Sequence, residues 1–258
     1  EPDVGASGSN GGVVNAMRRH DEPVTGAEAL AAGLSHRYAG RDGGDLLRPL
    51  IAEEFKGRIA LVSSFGTESA LLLALAAEID PALPVLFLDT GKHFGETLRY
   101  RQQLIERLRL TNVQTLTPDP TMLDRADPQG ILWRDDPDAC CQVRKVVPLA
   151  GGLARFDAWI TGRKRYQGGL RADLPLIEAD GGRLKINPLA TFDRDRIEAE
   201  LARRGLPRHP LENDGFLSIG CMPCTARATE ADRRSGRWAG KGKTECGIHL
   251  PRTASAPA

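Results

Sequence analysis

Apolar residues first recur along the chain at helical spacing. Ala29, Leu30, Ala32 and Leu34 mark one helix over residues 25–38, and Leu46, Leu47, Leu50 and Ile51 mark a second over 45–55; Gly40-Arg41-Asp42-Gly43-Gly44 breaks the pattern between them. From position 58 the pattern changes. Ile59-Ala60-Leu61-Val62 is an unbroken apolar run, as a strand covered on both faces requires, and it stops at Ser63-Ser64-Phe65-Gly66-Thr67-Glu68-Ser69. The next eight positions, Ala70-Leu71-Leu72-Leu73-Ala74-Leu75-Ala76-Ala77, are apolar on every side and predict a buried helix. Val85-Leu86-Phe87-Leu88 repeats the strand pattern and ends at Asp89-Thr90-Gly91. A long helix over 94–110 and a third strand at Val113-Gln114-Thr115-Leu116 follow. Further on, the pattern predicts a strand over 158–161, a hairpin from Leu176-Ile177 to Leu184-Lys185-Ile186 across Asp180-Gly181-Gly182, and a helix over 193–204. Strands and helices alternating through short connections predict an α/β fold with a doubly wound, mainly parallel sheet.

Residues 1–24 are rich in Gly, Ser and Asn and read as a flexible leader. Residues 25–215 read as one α/β domain, and 216–258, poor in apolar residues and rich in Gly and charge, as a C-terminal arm. At 258 residues the chain can bury a substantial single core. With 35 basic against 34 acidic residues there is no global field to attract nucleic acid or a membrane, so basic clusters have to be judged as local sites. No apolar run reaches the roughly 18 residues of a membrane span, and the first residues lack the charged-then-apolar order of a signal peptide. The expectation is a cytoplasmic protein.

In a reducing compartment, cysteines in tight pairs read as metal ligands or redox groups before they read as structural disulfides. The five cysteines fall as Cys140-Cys141, Cys221-Met222-Pro223-Cys224 and a solitary Cys246. Asp136-Pro137 has the form of a helix start, so Cys140 and Cys141 lie where the helix dipole favours thiolate, with Arg144 and Lys145 one turn further on. Spacing alone leaves three readings open: structural zinc, the commonest fate of four thiolates; an iron–sulfur cluster, whose separate irons two adjacent cysteines reach more easily; and cysteines buried merely as core. Cys246 sits among Lys241, Lys243 and His249, a positive setting that favours a reactive thiolate, although a solvated tail with an idle cysteine would look the same. The turn at 63–69, between the first strand and its helix, has the small and hydroxylated residues that let backbone N–H groups approach a phosphate; an ordinary capped turn shares that composition. Arg163-Lys164-Arg165 and Arg233-Arg234, taken alone, read as solvated charge.

The Ser-rich loop resembles that of the adenine nucleotide alpha-hydrolase superfamily. Phe65 and Glu68 depart from the Ser-Gly-Gly-x-Asp-Ser pattern of its pyrophosphatases and favour the branch that binds an adenylate without cleaving ATP, a branch that Leu88-Asp89-Thr90-Gly91 also matches. Behind that loop come Cys140-Cys141-x-x-Arg144-Lys145, Cys221-x-x-Cys224 and Lys243-x-Glu245-Cys246-Gly247-Ile248-His249. In that order they resemble the adenylyl-sulfate reductases of the adenylyl-sulfate and phosphoadenylyl-sulfate reductase family, over roughly residues 55–250. The resemblance implies that Cys140, Cys141, Cys221 and Cys224 bind a [4Fe-4S] cluster, that Cys246 is the catalytic nucleophile, and that Lys145 lies between cluster and substrate. It further implies that Arg171, Arg234 and Arg237 hold the phosphosulfate, and that Ser63, Phe65, Gly66, Glu68, Leu88 and Gly162 surround the adenosine. Tyr166 and Gly169 depart from the family's usual run before the Arg171 position, and Ile248 replaces its usual Leu.

The expected reaction is reduction of adenylyl sulfate to sulfite and AMP through an S-sulfocysteine on Cys246, within assimilatory sulfate reduction. With the other four cysteines committed to metal, the chain has no second thiol to release sulfite, so a thioredoxin or similar dithiol is the expected partner. The resemblance also implies a homo-oligomer. The alternatives are a phosphoadenylyl-sulfate reductase, an ATP-using adenylating or thiolating enzyme, and a zinc-stabilised nucleotide-binding module. The tail is expected to be poorly ordered without ligand and protected with it.

Overall fold

The structure, a computed structural model, describes residues 26–250; the leader expected over 1–24 and positions 251–258 of the arm lie outside that range. Helices α1 (Gly26–Arg37) and α2 (Gly43–Pro49) realise the first two periodic stretches, the second continuing past Pro49 as a π-helical turn, Leu50–Glu54. Then follow β1 (Ile59–Val62), α3 (Ser69–Ala77), β2 (Val85–Leu88), α4 (Gly95–Leu108) and β3 (Val113–Leu116), as the pattern predicts. Four short helices come next: α5 (Pro120–Ala126), α6 (Leu132–Asp135), α7 (Pro137–Cys141) and α8 (Val147–Gly152), the last two joined by a π-helical turn. Strand β4 (Ala158–Ile160), the hairpin β5 (Ile177–Asp180) and β6 (Arg183–Ile186), and α9 (Arg194–Arg203) complete the domain.

The six strands lie in the order β3-β2-β1-β4-β6-β5, all parallel except β5, which runs antiparallel to β6. The hairpin turn carries Gly181 and Gly182 at φ +56° and +87°, the pair of positive values that a type I′ turn demands. The unbroken apolar runs are explained by two cores. Ile59, Leu61, Val85 and Phe87 face one side of the sheet with α3 and α4, whereas Ala60, Leu86, Leu88 and Trp159 face the other with Leu149, Leu153 and Phe156. Each large side chain so buried contributes about 1.5–3 kcal/mol. With both faces covered, the carboxyl ends of β1, β2 and β4 are left as the open rim where parallel sheets bind ligands. Among the described residues, no helix is long and apolar enough to cross a membrane.

His209, which follows α9, is fully buried. Its Nε2–H donates to Thr97 Oγ1 at 3.0 Å and its Nδ1 accepts from the Leu211 N–H at 3.2 Å, a pairing that only the neutral ring can make. Burial holds its pKa down at about 4 against an ordinary 6.5. Between those values the unfolded chain binds a proton that the folded one refuses, so stability falls as pH drops from 6.5 towards 4, by on the order of 3 kcal/mol across the window. Denaturant melts at pH 7 and pH 5 should show a larger loss for the wild type than for His209→Gln; equal losses would remove this histidine as the cause.

Candidate active site

The site grows from the turn after β1. Phe65 takes φ +49°, unusual for a residue with a side chain, its N–H donates to Ser63 Oγ at 3.1 Å, and its ring packs edge-on against Phe87 in the core. On either side of it, Ser63, Ser64 and Gly66 line a cavity of about 200 Å³. Phe65 itself therefore stands behind the wall, whereas Ser63, Gly66, Glu68, Leu88 and Gly162 line it. The Glu68 carboxylate accepts from Lys164 Nζ at 2.5 Å and from the Tyr166 hydroxyl. Burial opposes its charge, but Lys164 outweighs burial and lowers the Glu68 pKa, so it stays ionised.

Lys145, Arg171, Arg234, Arg237 and Cys246 line the same cavity. The arm reaches there because two glycines permit close approach. A Cβ on Gly236 would stand 2.1 Å from the Ala226 carbonyl oxygen, and one on Gly220 would stand 2.3 Å from the Arg237 guanidinium. Arg171 donates through Nε and Nη2 to Glu245 at 2.5 and 2.7 Å and through Nη1 to Gln167. Arg234 lies 3.8 Å from Glu245 and donates to the Thr244 carbonyl at 3.1 Å. Arg237 stacks over the Trp238 ring at 4.4 Å.

Cys246 is buried at the head of the turn Gly247–His249, and its own N–H donates to Glu245 Oε1 at 2.9 Å. A hydrogen bond from the Cys141 thiol, then Lys145, the Ile248 N–H and Arg237, overcome burial and lower its pKa below the ordinary thiol range. Burial works against the Lys145 ammonium, but the Cys221, Cys246 and Cys141 sulfurs around it raise its pKa on balance. Four buried polar atoms without a protein partner, His93 Nδ1, Arg237 Nε, Trp238 Nε1 and His249 Nδ1, belong to residues lining this one cavity. Such clustering leaves polar groups free to meet water or a bound polar molecule.

Cys140 and Cys141 end α7, whose N-terminus is capped as the sequence predicts: Asp136 accepts from the Asp138 and Ala139 N–H groups after Pro137. Cys221 and Cys224 frame the turn Met222–Cys224. All four line a second, smaller cavity with Lys92, Trp133, Arg144 and Lys145, and no disulfide joins them. Lys145 and Cys221 belong to both cavities. Arg144 is held by Asp127 and the Thr90 carbonyl, each at 2.7 Å, with its Nε unpartnered and buried beside the thiols. Among the described residues, no three His, Cys, Asp or Glu side chains are grouped as ligands of a single metal ion. The tail lysines fasten the arm to this region, Lys241 through the Trp133 carbonyl at 2.8 Å and Lys243 through Asp138.

The profile of the phosphoadenosine phosphosulfate reductase domain matches residues 58–227. The chain belongs to that reductase family. A relative in Mesorhizobium japonicum, an adenosine 5'-phosphosulfate reductase, is 51% identical over 87% of this chain and 89% of its own. Another of that name in Streptomyces coelicolor is 42% identical over 77% and 84%, and a phosphoadenosine 5'-phosphosulfate reductase of Gloeobacter violaceus is 38% identical over 89% and 98%. The solved phosphoadenylyl-sulfate reductase of Candida auris shares the fold, at TM-score 0.64 and 21% identity over 80% of this chain and 100% of its own.

Within this reductase-family fold, sequence reasoning missed the roles of Arg163, Lys164, Glu245, Trp238 and His249. Arg163 and Lys164 are buried in ion pairs with Glu178 and Glu68 instead of being solvated. Trp238 and Cys246 pack with Cys141, and the His249 ring stacks on Trp159 with centroids 6.0 Å apart and planes 3° from parallel. The one signal available was the aromatic next to Arg237, since an indole in so polar an arm has to be seated somewhere.

Proposed function

We propose that this protein reduces adenylyl sulfate to sulfite and AMP in assimilatory sulfate reduction, with Cys246 as nucleophile. The observation that carries the reading is that Cys246, Lys145, Arg171, Arg234 and Arg237 line one cavity together with residues of the 63–69 loop. A sulfate–phosphate anhydride carries an electrophilic sulfur screened by negative oxygens, so cations have to offset that charge before an anionic thiolate can approach. The Cys246 thiolate attacks that sulfur, the bond from sulfur to the bridging oxygen breaks, and AMP departs with the electron pair. The product is Cys246–S–SO₃⁻. A thiolate of an external dithiol then attacks Cys246 Sγ and expels sulfite, and the second thiol of that dithiol releases Cys246 and leaves as a disulfide. Two electrons thus come from the dithiol, for which thioredoxin is the fitting class. In the docked arm Cys246 is 8% exposed, so the stretch carrying it has to swing out for that exchange.

The second cavity suits a [4Fe-4S] cluster held by Cys140, Cys141, Cys221 and Cys224. In support, the four thiols line one space, and Arg144 offers an unpartnered N–H there. A bound cluster would supply negative charge next to Lys145, and the sulfur chemistry itself is carried by thiols. Cytoplasmic location and a homo-oligomeric state belong to the same reading.

The test is mass spectrometry after mixing with adenylyl sulfate in the absence of thiol. A sulfonate adduct on the peptide bearing Cys246, with one equivalent of AMP released, is the expected result; no adduct would defeat the two-step scheme. The Gloeobacter violaceus relative's name favours running phosphoadenylyl sulfate in parallel. Faster labelling by adenylyl sulfate supports the proposed substrate, and faster labelling by its 3'-phosphate replaces it.

A further inference from the structure

Glu245 is the residue immediately before the nucleophile, and it is buried. Its carboxylate accepts the Nε and Nη2 edge of Arg171 at 2.5 and 2.7 Å, faces Arg234 at 3.8 Å and accepts the Cys246 N–H at 2.9 Å. Gln167 takes the remaining Nη1 of Arg171, so both sides of that guanidinium are engaged. A fork-on-carboxylate pair is the geometry in which arginine also grips phosphate or sulfate. Glu68, which also lines this cavity, is committed to Lys164 and Tyr166, away from these arginines. A planar carboxylate inside the chain therefore sits in the position that an anionic ligand of Arg171 would take.

We propose that Glu245 is an internal stand-in for the substrate's anion: it holds Arg171 and Arg234 in the free protein and gives them up when the phosphosulfate group arrives. The inference rests on the reading of those two arginines as ligands of that group. Three consequences follow from the geometry. The arginines are kept paired and in place while the site is empty, which avoids a buried uncompensated cation. Anion binding is weakened by competition with a tethered carboxylate. Because Glu245 also holds the Cys246 N–H, displacing it frees the backbone beside the nucleophile at the moment substrate is bound. A Glu245 that instead remained on Arg171 and merely oriented it would strengthen anion binding, so the two roles differ in sign.

The experiment uses the full-length, metal-loaded protein and AMP as an unreactive anionic probe, with adenosine as its uncharged counterpart, by calorimetric titration. Glu245→Gln keeps the shape but removes the charge that competes and turns one of the two acceptor oxygens into a donor. Its AMP affinity should rise about tenfold, equivalent to about 1.4 kcal/mol, with adenosine affinity unchanged and Glu245→Asp close to wild type. AMP affinity equal to or below wild type, with adenosine unaltered, overturns the proposal. Arg171→Ala separates this from the underlying reading: if that variant binds AMP as well as wild type does, Arg171 is not an anion ligand and the reading itself fails. Should Glu245→Gln lose adenosine binding and thus its fold, hydrogen exchange on the wild type decides. AMP should speed exchange in the peptide containing Cys246, whereas adenosine should not; unchanged or slower exchange with AMP overturns the proposal.

Discussion

Replacing Cys246 with serine abolishes sulfite release while leaving iron content and AMP affinity at wild-type levels. The loss should be on the order of 10⁶-fold, as for other enzymes stripped of their nucleophile, and so below detection in a coupled assay. A hydroxyl fits the same buried space at the head of the turn Gly247–His249, so the contacts with Cys141, Trp238 and Ile248 survive. What disappears is the thiolate, whose charge is favoured here by Lys145 and Arg237 and which a serine cannot match near neutral pH. Keeping iron in the assay matters, because Cys246 touches Cys141 and a variant that emptied the metal site would lose activity for another reason. Retained turnover in a serine variant with full iron would remove Cys246 from the nucleophile's role.

The parts of this molecule legible in its sequence are those governed by local rules. Runs such as Ile59–Val62 and Val85–Leu88 announce two-sided burial because every residue is apolar, and both cores bear that out. Asp136 and Asp193 cap α7 and α9 by reaching N–H groups two and three residues ahead, and Gly181-Gly182 fixes a hairpin by its backbone alone. The short helices α5, α6 and α8 were not legible, since each is at most seven residues long and offers little period to read. Nor was the fate of charge. Lys164 lies 96 residues from Glu68 and Arg171 lies 74 from Glu245, so nothing near either cation tells that it is buried and paired. The arm illustrates the same limit. Its apolar content is too low for a core of its own, yet Ile219, Trp238 and Cys246 are buried because they dock on the body, which no local pattern records. The candidate residues themselves came from the family resemblance, and the geometry then separates Phe65, whose ring is in the core, from those lining the cavity.

Replacing Cys140 with alanine should cost the protein its iron and its brown colour, and the arm should then come loose while the α/β domain stays folded. Cys140 and Cys141 belong to the body, at the end of α7, whereas Cys221 and Cys224 belong to the arm, around the turn Met222–Cys224. A metal centre shared by the two pairs, as proposed, would be a clamp between segments about 80 residues apart in sequence, and its binding free energy would become docking free energy for the arm. The domain has its own support in the two cores flanking the sheet, none of whose residues is a cysteine. The arm has much less: Lys241 and Lys243 on the α6–α7 region, the His249 stack on Trp159 and the Glu245 pair with Arg171. The exposed lysine contacts are worth at most about 1 kcal/mol each, and the buried Glu245–Arg171 pair loses much of its attraction to its own desolvation, so together they stay below a structural metal site at about 10 kcal/mol. Trypsin should accordingly cut the variant within 216–250 much faster than wild type, with far-ultraviolet circular dichroism of the domain little changed. Undiminished iron in Cys140→Ala would refute the ligand assignment. Lost iron with an arm still as resistant as before would keep the assignment and show that the tail is held by its own side chains.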